Sequence, residues 1–474
     1  MSTPVRTGQI AGLIFVLVWL SCAWFGSWEW NPNNATRIFA TMSIVEDDDA
    51  TIDQFDGLTM DKARFGDHVY SDKAPGMTLL AIPAVVVANA GSGTTSHDMS
   101  LSMYDGPSSD FLRLRVRLAA ISTSALLTAV GAVAVFLLAV GLGATSGAGV
   151  FAAVAFALGT PMWGWSTTIF GHAATTALLA IALWAIWRGT DGDRPDAQMA
   201  TIAGAALGAA VVIEFSALVT GFAVGGLALW RLRRFPAAEI RRIAIAAAIP
   251  ALVALTVLVG YNLFAFGTPF RLGYQGVVGF DGMNQGLFGL TYPKPDVLWE
   301  ITFGTRRGVL WVAPVAVVGL FGLALLARAP TTRALGVTGL AGVAIALCYN
   351  AAYVYWDGGN STGPRHLMPA MAYLSLGFAP AWMWARTALW RDILSLVLAV
   401  SVGVNLVIAS AEIATGGRDD FPLWTDVFTR FSNNDLRTIP SEWFGWGPAA
   451  GFWLYVVLAA GLSAALVRAV RSPR

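Results

Sequence analysis

Charge is scarce in this chain. Asp, Glu, Lys and Arg make up only 12% of 474 residues, and 30 basic against 29 acidic side chains leave a net charge of +1. A balance that even offers no field for nucleic acid. Cysteine is almost absent: Cys22 and Cys348 both lie in apolar stretches, which argues for packing roles over a disulfide or metal pair. No His/Cys/carboxylate spacing marks a transition-metal site, and a Walker loop, a GxSxG elbow and a zincin helix are all missing. A divalent cation on loosely spaced carboxylates stays open. Internal repeats, low-complexity tracts and a soluble domain are lacking too.

What fills the chain is apolar. Hydrophobic residues reach 56%, mean hydropathy is +0.62, and many stretches can span the ~30 Å of a bilayer's hydrocarbon. The composition predicts an all-α integral membrane protein, one polytopic domain over residues 1–474. Residues 8–27 follow the basic Arg6 and reach Trp28 without a small-residue cleavage site, so they read as a retained first span. Under the positive-inside rule, Arg188 with Arg194, Arg231 to Arg234, Arg241 with Arg242, Arg328 with Arg333, Arg386 with Arg391, and the tail Arg468, Arg471, Arg474 face the cytoplasm. Parity then orders further spans near 118–140, 150–166, 168–187, 200–214, 216–230, 243–264, 308–327, 335–352, 368–385, 392–412 and 448–467, about twelve in all. Met77 to Ala90, short and interrupted by Pro83, breaks that parity and reads as a juxtamembrane helix. Residues 28–117 thereby become one long extracytoplasmic loop, with 265–307 and 413–447 on the same side. Heavy use of Ala, Gly, Val and Arg suits a GC-rich bacterial genome, hence a bacterial cytoplasmic (inner) membrane.

The ionisable residues crowd the first loop, and an ionisable group in so apolar a chain repays its cost by acting on something. Asp47-Asp48-Asp49 reads as a solvated helix end. Asp61 and Asp53 stand beside apolar residues, where a carboxylate is partly desolvated and poised as a base, with Asp61 the first choice. Lys73, in Tyr70-Ser71-Asp72-Lys73-Ala74-Pro75, places an ammonium at headgroup height, either against a lipid phosphate or as a snorkelling anchor. Arg306 and Arg307, between glycines on a side where topology gives no reason for them, suit a phosphate or pyrophosphate. Tyr274 and Tyr292 belong to a loop of aromatics interleaved with polar residues, as in sugar-binding loops and in ordinary surface loops. Arg365 and His366 open a span, so Arg365 needs a partner: Asp357 or Asp72 on a structural reading, a phosphate on a functional one. His172 and Glu214 read as structural.

A first span, a long acidic outer loop closing on Lys-x-Pro, and outer arginines before later spans together resemble the GT-C superfamily of polyprenyl-phosphate-dependent glycosyltransferases over the whole length. Asn33-Asn34-Ala35-Thr36-Arg37 and Tyr70-Ser71-Asp72-Lys73-Ala74-Pro75 look like the acid-Glu-Thr-Arg and Glu-Lys-Pro-Pro elements of aminoarabinose and mannosyl transferases. Pro364-Arg365-His366-Leu367-Met368-Pro369 looks like their Arg-Tyr-Leu-x-Pro element. The resemblance implies an inverting transfer of a pentose such as arabinofuranose, or a hexose such as mannose, from a polyprenyl monophosphate to an acceptor hydroxyl on a glycan, lipid or protein. Lys73, Arg306, Arg307 and Arg365 would hold the donor phosphate, with Asn33, Asn34, Arg37, Tyr70, Asp72, His172, Tyr274, Tyr292, Asp357 and His366 in support and no metal required. The chain departs from that pattern at Asn33 and Asn34, which cannot act as a base where relatives carry an acid, so the base moves to Asp61, or to Asp53. A flippase of lipid-linked sugars would carry charge through the bilayer centre and show repeats, and this chain does neither. A ligase or polymerase using a lipid pyrophosphate is the remaining alternative.

Overall fold

The structure, a computed structural model, describes residues 4–471; Arg474, counted above in the basic tail, lies outside the described residues. Long apolar runs become helices because hydrocarbon offers backbone N–H and C=O groups no partner but their own helix. A helix occupies each position expected of a span: α1 (Pro4–Trp24), α4 (Gly106–Gly141), α5 (Ser146–Ala157), α6 (Gly171–Gly189), α7 (Ala197–Ile213), α8 (Ala217–Leu232), α9 (Ala237–Phe266), α11 (Ala316–Arg328), α12 (Arg333–Ala352), α13 (Pro369–Trp384), α14 (Ala388–Ala411) and α15 (Pro448–Arg471). Between them lie α2 (Pro32–Asp47) and α3 (Gly76–Ser92) in the first loop, and α10 (Pro295–Thr302). By length and composition six are long and apolar enough to cross a membrane unaided: α1, α4, α9, α12, α14 and α15. The protein is a multi-pass membrane protein.

The bundle sorts its faces by what they meet. In α9 only 11% of the most apolar stretch is buried, leaving Ile245, Ile249, Leu252 and Val253 to face outward. Its other side meets α7 backbone to backbone: a Cβ on Gly204 or Gly208 would collide with Ala247 or Ala251. Small residues at that spacing let helices approach where no hydrophobic force separates helix from lipid. Cys22 is buried as a packing residue, whereas Cys348 is exposed on α12, so its expected packing role inside the bundle does not hold.

The loops gather at one end and are stitched together there. Gly26 N–H donates to Arg437 O at 3.2 Å, Val278 N–H to Lys62 O at 3.1 Å, Thr291 N–H to Ala352 O at 2.9 Å, and Thr362 N–H to Ile413 O at 2.9 Å. A buried ion-pair network adds to this: Glu29 meets Arg113 at 3.0 Å and Arg437 at 2.7 Å, and Arg117 meets Glu442 at 2.5 Å. Buried charges persist only when paired, so these residues fix the first loop against the last.

Within the first loop, Asn31 caps α2 by accepting from Asn33 N–H at 3.0 Å, and Asp48 ends it in the left-handed region at φ 53°. Asp47, Asp48 and Asp49 are exposed, as a solvated helix end is. A short hairpin follows, β1 (Ala63–Phe65) paired antiparallel with β2 (His68–Tyr70) in the register Ala63↔Tyr70. The loop after α9 docks on it through the bridge Ala63↔Val277.

Candidate active site

The hairpin explains how two distant positions in the first loop meet. Continuing its register by two residues sets Asp61 opposite Asp72, and the next residue, Lys73, points its ammonium between them. Lys73 Nζ lies 2.8 Å from Asp72 Oδ2 and 3.0 Å from Asp61 Oδ2, with all three side chains largely buried. Burial pulls the Lys73 ammonium down, but Asp61 and Asp72 more than restore it, so it stays protonated above its usual range. Burial also pushes the Asp72 carboxyl up, against the pull of Lys73.

A second cluster packs around Arg37, on α2. Its guanidinium bonds Asn33 Oδ1 and reaches Glu214, at the end of α7, at 3.5 Å. Glu214 also faces His172 Nδ1 at 3.7 Å and lies over Gly171, where any Cβ would strike its carboxylate. The His172 ring meets His366 edge to face at 5.6 Å, and His366 meets Tyr353 at 5.0 Å. Beside His366, the Arg365 guanidinium makes no ion pair or hydrogen bond among the described residues; the Phe170 ring lies 5.4 Å from it. Burial pulls the Arg365 guanidinium below its usual value, and the Asp61 charge is foremost among those opposing it.

The polar atoms left unpaired are informative. Arg37 Nε, Asp72 Oδ1, Arg365 Nε and His366 Nε2 are buried without a partner. An unsatisfied buried polar atom costs about 1–3 kcal/mol, and four of them on three chain segments are what a site lacking its ligand leaves open.

The remaining residues proposed from the sequence lie elsewhere or do other work. Asp53 ties the hairpin, accepting from Val69 N–H at 2.6 Å and pairing with His68 at 2.7 Å. Asn34 is a buried strut: its amide donates to Ser27 Oγ and Trp28 O, and its oxygen accepts from Ile169 N–H. Tyr70 packs among Phe65, Tyr261 and Phe266. Tyr274 sits between Phe215 and Phe288, on a turn whose Gly273 would, with a Cβ, come within 2.9 Å of the Asp72 backbone. Tyr292 is exposed. Asp357 is taken by Arg306 at 2.6 Å. Arg307, fully buried, gives its donors to the carbonyls of Asp357, Arg306, Gly359 and Gly416, which makes it a brace between loops. Neither structural partner considered for Arg365 is free, since Asp357 serves Arg306 and Asp72 serves Lys73. Tyr353 was not singled out from the sequence, and Glu214, a carboxylate lodged between two apolar runs, was read there as structural, whereas the fold brings it to Arg37 and His172. Among the described residues, no three His, Cys, Asp or Glu side chains converge as metal ligands do.

No family model and no curated protein matches the chain. Among solved structures it is similar to ArnT from Cupriavidus metallidurans bound to undecaprenyl phosphate, with a TM-score of 0.53 at 14% identity over 99% of this chain and 73% of that one. The apo state of that ArnT matches at 0.49 with 11% identity, covering 98% and 76%. The S. cerevisiae protein O-mannosyltransferase Pmt1-Pmt2 complex bound to the sugar donor matches at 0.39 with 14% identity, covering 62% and 39%. Those two likenesses are too loose to carry an argument, and the first, at its identity, speaks for the fold alone. The fold is GT-C-like.

Proposed function

We propose that the protein is an inverting glycosyltransferase that takes a sugar from a polyprenyl monophosphate and places it on an acceptor hydroxyl at the extracytoplasmic face of a bacterial inner membrane. The observation that carries this reading is the buried set of Lys73, Asp61 and Asp72 facing an arginine, Arg365, with no partner of its own. The GT-C-like fold supports it. The solved ArnT binds undecaprenyl phosphate, and the same class of ligand suits two cations at headgroup height.

The chemistry divides among these residues. An ammonium has three donors, and two carboxylates occupy only part of Lys73's capacity, which leaves it able to bind a phosphate oxygen. Arg365 offers a bidentate fork for the same group. As phosphate takes charge from Lys73, Asp61 is released to accept the acceptor's hydroxyl proton. The acceptor oxygen attacks the anomeric carbon, the bond from that carbon to the phosphate oxygen breaks, and polyprenyl phosphate leaves with the electron pair. Fixed cations at the leaving oxygen stabilise the charge that develops there. The donor sugar is a pentose such as arabinofuranose or a hexose such as mannose.

The test is release of polyprenyl phosphate by purified protein in lipid, supplied with a panel of polyprenyl-phosphate pentoses and hexoses. Release that depends on Asp61 and Lys73 supports the reading. No release with any donor, together with movement of lipid-linked sugar between leaflets, would replace it with a flippase.

A further inference from the structure

A second cavity lies away from Lys73, against the other side of the loop that carries Arg365. This cleft of about 430 Å³ is lined by Asp296, Val297, Glu300, Thr305, Arg306, Trp356 and Asp420. Resting on the transferase reading, we propose that it is the subsite for an uncharged, polyhydroxylated acceptor chain.

Its wall explains why this space exists. Trp356 packs against Val297 and Ile301 of α10, which fixes the indole at the cleft edge. Glu300 lies over Gly304, where any Cβ would strike the carboxylate, and accepts Arg306 N–H at 3.2 Å. Thr305 Oγ1 donates to Asp420 O at 3.0 Å, which closes the far side. Arg306 is held by Asp357 at 2.6 Å, yet its Nε is buried with no partner, a donor still seeking an acceptor. The Asp296 and Asp420 side chains form no ion pair among the described residues.

The mixture of groups selects the ligand. Three carboxylates against one arginine, itself neutralised by Asp357, repel a phosphate or a sulfate. They do not converge as cation ligands do. Carboxylates spaced around a room of this size accept hydrogen bonds from sugar hydroxyls, and an indole provides an apolar face for a sugar ring's C–H groups. A glycan fits, and a phosphorylated headgroup does not.

The cleft's position fits a substrate that must reach the donor. Asp357, which holds Arg306, is followed by Gly358, at φ 71°, and a Cβ there would lie 2.7 Å from Arg365 Nε. One turn of backbone therefore separates the cleft from the arginine assigned to the donor phosphate. A chain seated in the cleft has its reacting end to extend past that turn.

The experiment uses full-length protein in lipid nanodiscs, with neutral mannohexaose and its phosphorylated counterpart as probes and undecaprenyl phosphate measured separately. Saturation-transfer NMR is expected to show mannohexaose binding that weakens about tenfold in Trp356→Ala and severalfold in Asp420→Asn, an exposed position whose change leaves the fold intact. Lys73→Ala is expected to leave mannohexaose binding unchanged. No mannohexaose binding by the wild type, binding insensitive to both cleft substitutions, or tighter binding of the phosphorylated sugar would overturn the proposal. Undecaprenyl phosphate binding that ignores Lys73→Ala would instead overturn the donor reading and leave the cleft result standing.

Discussion

Replacing Asp61 by Asn removes a charge and little else, which makes it the sharpest probe of the site. Lys73 retains Asp72 at 2.8 Å, so the ammonium is not stranded when the contact at 3.0 Å loses its charge. A charge pair near 4 Å is worth about 4 kcal/mol at an effective dielectric of 20, but desolvation offsets most of that, and an amide oxygen can still accept from Nζ. The stability cost is therefore about 1 kcal/mol, and the variant folds. If Asp61 takes the acceptor proton, single-turnover transfer falls by about 10²–10⁴-fold, or roughly 2.7–5.5 kcal/mol of barrier, with donor affinity retained or improved because the site has gained positive charge. The assay is quenched single-turnover release of polyprenyl phosphate beside a donor-binding titration on the same preparation. Turnover within about tenfold of the wild type would refute the role of Asp61 as base.

Lys73→Ala weakens binding of undecaprenyl phosphate by at least about tenfold in a nanodisc titration, whereas unchanged affinity would make Lys73 a membrane anchor. Arg307→Ala strands four loop carbonyls and lowers stability by on the order of 3 kcal/mol, seen as a large fall in melting temperature that Arg307→Lys, with no planar fork, only partly restores. Burial pushes the Glu29 carboxyl up, but Arg437 and Arg113 more than offset it and hold it below its usual value near 4.5. A depressed carboxyl stabilises above that usual value and loses its contribution as pH falls through the folded value, so the melting temperature of the wild type drops below pH ~4.5 and that of Glu29→Gln, already lowered, drops less. The hydrogen bond and charge of Asp53 raise His68 above 6.5, so its contribution is full below that value and fades as pH rises through the raised one. An NMR titration of His68 in Asp53→Asn is expected to return to about 6.5.

Much of the molecule is legible from composition. Apolar length places a helix at each of twelve positions because a membrane span must satisfy its own backbone, and Pro83 does not prevent α3 from forming as the short helix expected there. Length alone does not make every one of them a span: α5 and α11, of 12 and 13 residues, are apolar but fall short of a bilayer's width, and their place in the bundle comes from neighbours. Lys73 and Asp61 were legible as candidates because each is an ionisable group beside apolar residues.

What the sequence could not supply is which charges share a space. Arg306, Arg307 and Arg365 look alike as outer arginines, yet one is ion-paired, one braces carbonyls and one is unpartnered, because loops separated by 50 to 111 residues reach the first two and leave the third. Asp53 and Asp61 differ in the same way: the hairpin uses the first as a tie and its register carries the second to Lys73. By itself the sequence determined the solvent, the helices and the end of the bundle where charge collects, because these follow from local hydrophobicity summed along the chain. Only tertiary structure decided the partners, because an ion pair forms between side chains that packing brings within about 4 Å, wherever they stand in the sequence.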